Sequence, residues 1–293
     1  MRLPGPGTAL GAPSRLACRD LISAVVYVSE GRDPRLLEEL GQLAHGPPTG
    51  YTLIREFRDS TYNRTGYTIA GCPDPVADAA LAVSRRALEA LDLRKHDATH
   101  PRLGVVDHVS LHSLGETPAE EAIRAGMHVA RGLGAFGVPV LLYGDLKGGA
   151  RLAEVRRRTA YFRTGALPDT VEADMGPNEV CPSKGLATVG VVPLVLNYNI
   201  LIDTDERSAA TAVTRSVREK DGGLPHVEAL TLKREKGYET ACNLLQPRVS
   251  TPAMVLERAR VTAERLGITL SDSDSYVTGL TEEETIKAVQ DAL

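Results

Sequence analysis

The chain contains no tryptophan, and aromatic residues make up only 4% of its 293 residues. Apolar residues form no Pro-free run of the roughly 18 positions that cross a bilayer, so we predict no membrane partner. The four cysteines include no C-x-x-C pair: Cys18, Cys72, Cys181 and Cys242. This spacing argues against a zinc knuckle, a redox motif and a disulfide-stapled secreted fold, and it favours a reducing, intracellular compartment.

The chain also has no excess of positive charge, since its formal net charge is −4. The densest basic run, Arg156-Arg157-Arg158, lies in a segment of helical character, where long cationic side chains usually face water. We therefore predict no nucleic-acid partner. The apolar fraction of 42% and the charged fraction of 25% are typical of a globular protein. The length exceeds what one hydrophobic core usually organises, so we expect two sub-domains.

The first twenty residues are rich in proline and glycine and lack the apolar segment of a secretory signal. We predict a disordered leader over residues 1–20. Arg2, Arg15 and Arg19 precede the first acidic residue, Asp20, so an organellar transit peptide stays open as an alternative. Because proline and glycine would interrupt its amphipathic helix, we expect a cytoplasmic protein.

Helix starts are the clearest regular feature of the sequence. A capping residue is followed directly by proline at four places: Asp33-Pro34, Asp74-Pro75, Thr117-Pro118 and Thr251-Pro252. The cap oxygen accepts an unpaired backbone N–H, and a proline at the first helical position has no N–H to leave unpaired. Four helices are predicted to begin there.

Segments rich in β-branched and aromatic residues alternate with these helices and predict strands. In residues 21–111 the order is βαββαβ. The second half repeats this order, with its first strand over 187–202 and its last strand around Ile268. We therefore predict an α+β fold of two ferredoxin-like sub-domains, 21–178 and 179–293, that form a cleft between them.

Four histidines lie close together in the sequence and raise the hypothesis of a metal site: His96, His100, His108 and His112. His108 and His112 lie on a predicted strand, where four residues span about 13 Å, so one ion cannot bridge them. Pro101 favours extended backbone at His100, which removes the first pair from a regular helix. We predict no metal.

His100 is the strongest candidate for proton transfer. A neutral imidazole with a pKa near 6.5 can accept a proton from an attacking amine, and Arg102 could hold an anionic group. A structural or solvated histidine is the alternative. The turn 59–65 and the loop 176–185 are further candidates, and both are open to a structural interpretation, as a tight turn and as a rigid connection.

Several short motifs, in order between residues 24 and 280, resemble those of the formiminotransferase domain of glutamate formiminotransferases. They are Val28-Ser29-Glu30-Gly31, Asn63-Arg64-Thr65, His100-Pro101-Arg102-Leu103-Gly104-Val105-Val106-Asp107, the loop 176–185, Tyr198-Asn199-Ile200 and Asn243-Leu244-Leu245. Together with Gly222-Gly223-Leu224-Pro225, they look most like the stand-alone plant formiminotransferase-like proteins, which carry no cyclodeaminase domain.

This resemblance implies a transferase that moves a formimino or formyl group between glutamate and N5 of tetrahydrofolate, which is a co-substrate. N-formimino-glutamate is then the expected donor, and a homodimer is left open. By resemblance, His100 is the general base and Asp59 is the second catalytic candidate. Substrate binding is assigned to Asn63, Arg64 and Arg102.

The folate-binding loop of the family corresponds to these residues: Gly176, Pro177, Asn178, Glu179, Val180, Cys181, Pro182, Ser183, Lys184 and Gly185. Two departures favour an alternative function, a folate-binding protein without turnover. Tyr27 stands where the family opening carries asparagine. Lys184 stands where the loop carries tryptophan, so an aromatic stacking surface is absent.

Overall fold

Two β-sheets, of six and four strands, organise the residues described by the computed structural model, which are 19–46, 50–159 and 167–292. Seven α-helices occur within these ranges. The fold therefore has the predicted α+β class. The leader predicted over residues 1–20 lies outside the described residues, except for its last two positions.

The N-terminal unit contains the six-stranded sheet. Its elements are β1 (Leu21–Val28), α1 (Pro34–His45), β2 (Tyr51–Asp59), β3 (Arg64–Gly71), α2 (Pro73–Ala90), β4 (Val106–Leu114), α3 (Ala119–Ala135), β5 (Val140–Gly144), α4 (Leu152–Arg158) and β6 (Ala187–Val191). The strand order is β2-β3-β1-β4-β6-β5, antiparallel from β2 to β4 and parallel from β4 to β5. The first four strands, with α1 and α2, form the predicted βαββαβ unit.

The C-terminal unit contains the four-stranded sheet. Its elements are β7 (Leu196–Ile202), α5 (Arg207–Val217), β8 (Val227–Lys233), β9 (Tyr238–Leu244), α6 (Pro252–Arg265), β10 (Ser275–Val277) and α7 (Glu282–Ala292). The order β10-β7-β9-β8 repeats the order β4-β1-β3-β2 of the first sheet, which is the ferredoxin-like arrangement. α7 then packs on β2 and β3 of the other unit, where Val289 joins Ala70 and Leu114 in a small apolar cluster.

The single strand predicted over 187–202 is wrong, because this segment forms two strands in different sheets. β6 pairs with β4 and β5, whereas β7 pairs with β9 and β10. Pro193 lies between them and lacks the N–H that would continue a ladder. The change of sheet falls in the β6–β7 connection, later in the chain than the predicted sub-domain boundary after residue 178. The strand predicted around Ile268 is also wrong, since Ile268 follows α6 as part of the second core and the last strand is β10.

Two of the predicted helix caps are confirmed. The Asp33 carboxylate accepts the backbone N–H groups of Arg35 and Leu36 at the start of α1. The Thr251 hydroxyl accepts the N–H of Met254 at the start of α6. In both helices proline follows the cap, as the sequence pattern requires.

The other two predicted caps are wrong, although both helices form. α2 begins at Pro73, so Asp74 lies inside its first turn. α3 begins at Ala119, and the hydroxyl of Thr117 instead accepts the N–H of Leu21, at the start of β1. The first cap is lost because an earlier proline, Pro73, already begins the helix. The second is lost because the hydroxyl of Thr117 is bound to a strand from a distant part of the sequence.

Each sheet packs helices on one face and leaves the other face to the opposite unit. On β1 the buried side chains alternate and pack with the first helices: Ile22, Ala24, Val26 and Val28. On β7 the alternating core residues are Leu196, Tyr198, Ile200 and Ile202. The remaining faces meet through polar side chains. Tyr27 Oη lies 3.4 Å from Asn197 Oδ1, and Tyr62 Oη donates to Glu239 Oε1 over 2.7 Å. The polar cleft therefore lies between the two sheets.

Candidate functional site

The loop that precedes β4 carries His100, and residues of the predicted folate loop brace it. The N–H of Val105 donates to the carbonyl of Lys184 over 2.8 Å. Gly104 and Gly185 form an antiparallel bridge, and a Cβ on Gly104 would lie 2.3 Å from a carbonyl oxygen of the neighbouring segment. Close backbone packing, which needs glycine here, thus holds the loop of His100 in place.

The imidazole of His100 has a partner at each nitrogen. Nδ1 lies 2.6 Å from the carbonyl oxygen of Pro101, and because a carbonyl only accepts, Nδ1 carries the hydrogen. Nε2 therefore keeps its lone pair, and Arg64 Nη1 donates to it over 3.0 Å. The ring of Tyr62 meets the imidazole edge-on, with the ring centroids 5.3 Å apart. The backbone thus selects the tautomer in which Nε2 can act as a base.

Desolvation controls the protonation of His100. The side chain is half-buried, and protein atoms surround its imidazole ring. Desolvation by these atoms has the largest effect on the pKa of His100. Together with the positive charge of Arg64, it lowers the pKa of His100 to about 3, against the opposing effect of Asp107. The value near 6.5 expected from the sequence is therefore wrong for the folded protein. The imidazole is neutral at physiological pH.

Arg64, the first residue of β3, joins three parts of the site. Besides His100, its guanidinium lies 3.5 Å from Asp107 Oδ2 and 4.0 Å from the centroid of the Tyr27 ring. The side chain is 15% exposed, and its Nε has no hydrogen-bond partner among the residues that the structure describes. A guanidinium in this state has donors left for a substrate carboxylate.

The prediction that the basic run of α4 faces water is wrong for its first member. The Arg156 side chain is 12% exposed and donates from Nη2 to Asp107 Oδ2 over 3.2 Å, whereas Arg157 and Arg158 are exposed. The buried carboxylate of Asp107 is thus shared between Arg156 and Arg64. Two guanidinium groups around one carboxylate leave net positive charge beside His100, which suits an anionic ligand.

Asn63 lies next to this cluster, but both ends of its side chain are bound by backbone. Its Oδ1 accepts the N–H of Gly31 over 2.8 Å, and its Nδ2 donates to the carbonyl of Asp97 over 3.2 Å. Its φ of 46° lies in the left-handed region, which asparagine tolerates better than most residues. The asparagine therefore joins the motif around Gly31 to the loop of His100.

Arg102 and Asp59 are also engaged by the protein. Arg102 Nη2 lies 3.4 Å and 3.3 Å from the carbonyl oxygens of Leu93 and His96, so its guanidinium ties down the start of the His100 loop. Asp59 Oδ1 accepts the N–H of Tyr62 over 2.8 Å, and its Oδ2 binds an arginine of the C-terminal unit, Arg234, over 2.5 Å. Asp59 thus organises a turn and an inter-unit ion pair.

The predicted folate loop lies against the His100 loop over its second half. The carbonyl of Ser183 accepts the N–H of Leu93, and Lys184 Nζ donates to the carbonyl of Phe136, each over 2.8 Å. Lys184 therefore offers its amine to the end of α3 and does not replace a stacking tryptophan. Cys181 is exposed, and hydrogen bonds from Ser183 lower the pKa of its thiol.

Some residues at the cleft were not selected from the sequence, although each had a signal. Asp107 belongs to the motif that begins at His100. Arg156 was one of three adjacent arginines, and only tertiary packing distinguishes it from its neighbours. Glu239 and Asn243 lie on the same face of β9, opposite the apolar core, and two polar residues on one face indicate a polar layer.

The other histidines of the cluster have structural partners. His96 Nε2 binds the carbonyl of Asn63, and His112 Nδ1 binds the carbonyl of Val192, each over 2.9 Å. Within residues 19–46, 50–159 and 167–292, no three His, Cys, Asp or Glu side chains are grouped to hold a metal ion. No helix in the same ranges combines the length and apolar character of a bilayer span.

Comparison with known proteins identifies the family of this fold and site. The model of the formiminotransferase domain, N-terminal subdomain, matches residues 21–192. A formiminotransferase cyclodeaminase-like protein of Arabidopsis thaliana is 33% identical over 244 residues, which are 76% of this chain and 81% of the relative. A glutamate formimidoyltransferase of Thermoplasma acidophilum is 26% identical over 91% of this chain and 89% of its own length. A formimidoyltransferase-cyclodeaminase of Gallus gallus is 30% identical over 84% of this chain, which spans 48% of that relative.

Proposed function

The chain belongs to the formiminotransferase family, and on that premise we propose that it transfers a formimino group between glutamate and N5 of tetrahydrofolate, with His100 as general base. The observation that carries the proposal is the state of His100. Its Nδ1–H is bound to the Pro101 carbonyl, and its Nε2 lone pair points at Arg64. A formyl group in place of the formimino group would use the same base.

The imidazole serves both halves of the transfer. His100 Nε2 takes the proton that the folate nitrogen loses as it bonds to the formimino carbon. It then returns this proton to the glutamate nitrogen as the old carbon–nitrogen bond breaks, so no net proton is gained. Because burial lowers the pKa of His100, the protonated ring releases its proton readily in the second half.

Arg64 connects substrate binding to the availability of the base. In the structure its guanidinium occupies the lone pair of His100 Nε2. A substrate carboxylate would compete for this guanidinium, because a charge-assisted, bidentate pair is stronger than a hydrogen bond to a neutral ring. Binding of the anionic substrate would thus free Nε2 when the base is needed.

A second arginine would share the charge of the substrate. Arg102 is assigned to this role by resemblance, but its guanidinium is held by the carbonyl groups of Leu93 and His96. Arg156 stands with Arg64 around Asp107 and supplies positive charge in the same cluster. We therefore propose Arg64 and Arg156 as the pair that attracts the anionic group.

A folate-binding protein without turnover is the second candidate. The observation that favours it is the contact between Arg64 and His100 Nε2, since a base whose lone pair stays occupied cannot accept a proton. The two candidates differ in one event, the departure of Arg64 from the imidazole when substrate binds.

Calorimetry with tetrahydrofolate and a coupled assay with N-formimino-glutamate separate these candidates. We expect the wild type to bind folate and to turn over. His100→Asn should lower kcat by about 10²- to 10⁴-fold with little change in folate affinity. Folate binding without turnover in the wild type would select the second candidate. A folded chain that binds no folate species would refute both.

A further inference from the structure

A buried carboxylate of the C-terminal unit holds the aromatic ring that contacts His100. Glu239, on β9, has no exposed surface. Its Oε1 accepts the hydroxyl of Tyr62 over 2.7 Å and the amide of Asn199 over 3.1 Å. Its Oε2 accepts the hydroxyl of Tyr276 over 2.6 Å. Three donors thus satisfy one carboxylate, which offsets the cost of burying it.

Tyr62 is fixed between the two units by these contacts. Its backbone N–H is bound to Asp59, and the guanidinium carbon of Arg234 lies 4.6 Å from its ring centroid. Burial and the negative charge of Glu239 raise the pKa of Tyr62, so its hydroxyl keeps its proton and remains a donor. The same ring also contacts His100, with the centroids 5.3 Å apart.

The Tyr62 contact gains importance during the proposed reaction. In the structure His100 is held at Nδ1 by Pro101 and at Nε2 by Arg64. When Arg64 moves to the substrate, one hydrogen bond remains, and a ring held by one hydrogen bond can tilt about it. The edge-on ring of Tyr62 blocks that tilt, provided that Tyr62 itself is anchored.

We propose that Glu239 is a positioning residue, which holds Tyr62 against His100 and so makes the orientation of the base depend on the docking of the C-terminal unit. This inference rests on the proposed function, in which His100 is the base. Glu239 touches no reacting atom and acts through the ring of Tyr62. A catalytic group of one sheet is thereby oriented from the other.

Tyr276 provides a matched control within the same network. Its hydroxyl donates to the same carboxylate over a similar distance, and its other partner is the amide of Asn199. Tyr276, Asn199 and Glu239 all belong to the C-terminal unit. Tyr276→Phe therefore removes an equivalent hydrogen bond without disconnecting the two units, whereas Tyr62→Phe removes the bond that crosses between them.

The test combines imidazole NMR with kinetics on the full chain. The His100 ring signals, assigned through His100→Asn in histidine-labelled protein, should shift or broaden in Tyr62→Phe and in Glu239→Leu, which has no acceptor for the Tyr62 hydroxyl, and should stay unchanged in Tyr276→Phe. The first two variants should lower kcat about 10-fold with KM within about twofold. The double variant should be no worse than the Glu239 variant alone, because both changes break the hydrogen bond between Tyr62 and Glu239.

Unchanged His100 signals in Tyr62→Phe would overturn the inference, and so would equal changes in Tyr62→Phe and Tyr276→Phe. If Glu239→Leu does not fold, the comparison of the two Phe variants still decides it. The NMR readout needs no turnover. A wild type without formimino transfer would therefore refute the proposed function in the assay, separately from the outcome for Tyr62.

Discussion

Burial changes the chemistry of individual side chains at this cleft. An imidazole in water titrates near 6.5, but desolvation and the charge of Arg64 lower the pKa of His100 to about 3. The same packing leaves the Nε2 lone pair directed at a guanidinium. Packing thus makes His100 a neutral, oriented imidazole, which is the state that the proposed general base requires.

The pH dependence of the transfer follows from this lowered pKa. Protonated His100 cannot accept a proton, so kcat/KM should stay level through neutral pH and fall only below the ordinary imidazole value of about 6.5. Arg64→Gln removes the second cause of the lowering and should move this acid limb toward neutral pH. A pH profile of both proteins measures the shift. A wild-type limb at or above the ordinary value would contradict the assignment of His100.

The role of Arg156 can be separated from that of its neighbour in sequence. Arg156→Gln removes positive charge from the Asp107 cluster and should raise KM for N-formimino-glutamate about 10-fold or more, since hydrogen bonds to charged groups contribute about 1.5–3 kcal/mol. Arg158→Gln, on the exposed side of the same helix, is the control and should leave KM unchanged. Steady-state kinetics at several donor concentrations provide the measurement. Equal KM values for the two variants would show that Arg156 does not help to bind the anionic donor.

Helix starts show how far local rules determine the elements. All four helices predicted from a capping residue followed by proline form, because the cap and the fixed φ of proline act within one turn. The predicted cap is correct where no other group binds its side chain, at Asp33 and Thr251. It is wrong at Thr117, whose hydroxyl binds the start of a strand 96 positions away.

The two aspartates at predicted caps should therefore differ in their effect on stability. Asp33→Ala leaves two N–H groups of α1 without their acceptor and should lower the free energy of unfolding by about 1 kcal/mol. Asp74→Ala removes a first-turn charge paired with exposed Arg124 and should cost no more than about 0.5 kcal/mol. Denaturant unfolding of both variants measures the difference. A loss for Asp74→Ala as large as that for Asp33→Ala would contradict the assigned caps.

Buried histidines make the stability of the whole molecule depend on pH. Burial lowers the pKa of each of these folded-state groups: His96, His100, His108 and His112. Below about pH 6.5 the unfolded chain binds protons at these positions and the folded chain does not, so acid favours unfolding. This loss is absent at neutral pH and grows as the pH falls from about 6.5 toward the lowered folded values.

The magnitude is measurable with one substitution. Each such histidine contributes up to about 1.4 kcal/mol per pH unit to the slope of stability against pH. His108→Gln should reduce that slope by up to about 1.4 kcal/mol per pH unit between about pH 6 and 4. The variant also loses the contacts of His108 with Thr188 and Tyr143, and this loss is the same at every pH. Unfolding curves at several pH values test this, and a His108→Gln slope equal to that of the wild type would contradict it.

The repeat of βαββαβ was predictable, because hydrophobic period, capping residues and turn residues are local properties. The distribution of strands between sheets was not. One stretch over 187–202 supplies β6 to the first sheet and β7 to the second. Which sheet a strand joins depends on partners distant in sequence, here β4 and β5 for β6 and β9 for β7.

The sequence by itself determined the α+β class, the order of the elements and the motifs that resemble one enzyme family, since each rests on residues adjacent in the chain. Tertiary structure alone decided which side chains meet at the cleft. It brought Arg156 to Asp107 from 49 positions away and Glu239 to Tyr62 from 177 positions away. It also lowered the pKa of His100, because desolvation exists only once the chain has packed around the ring.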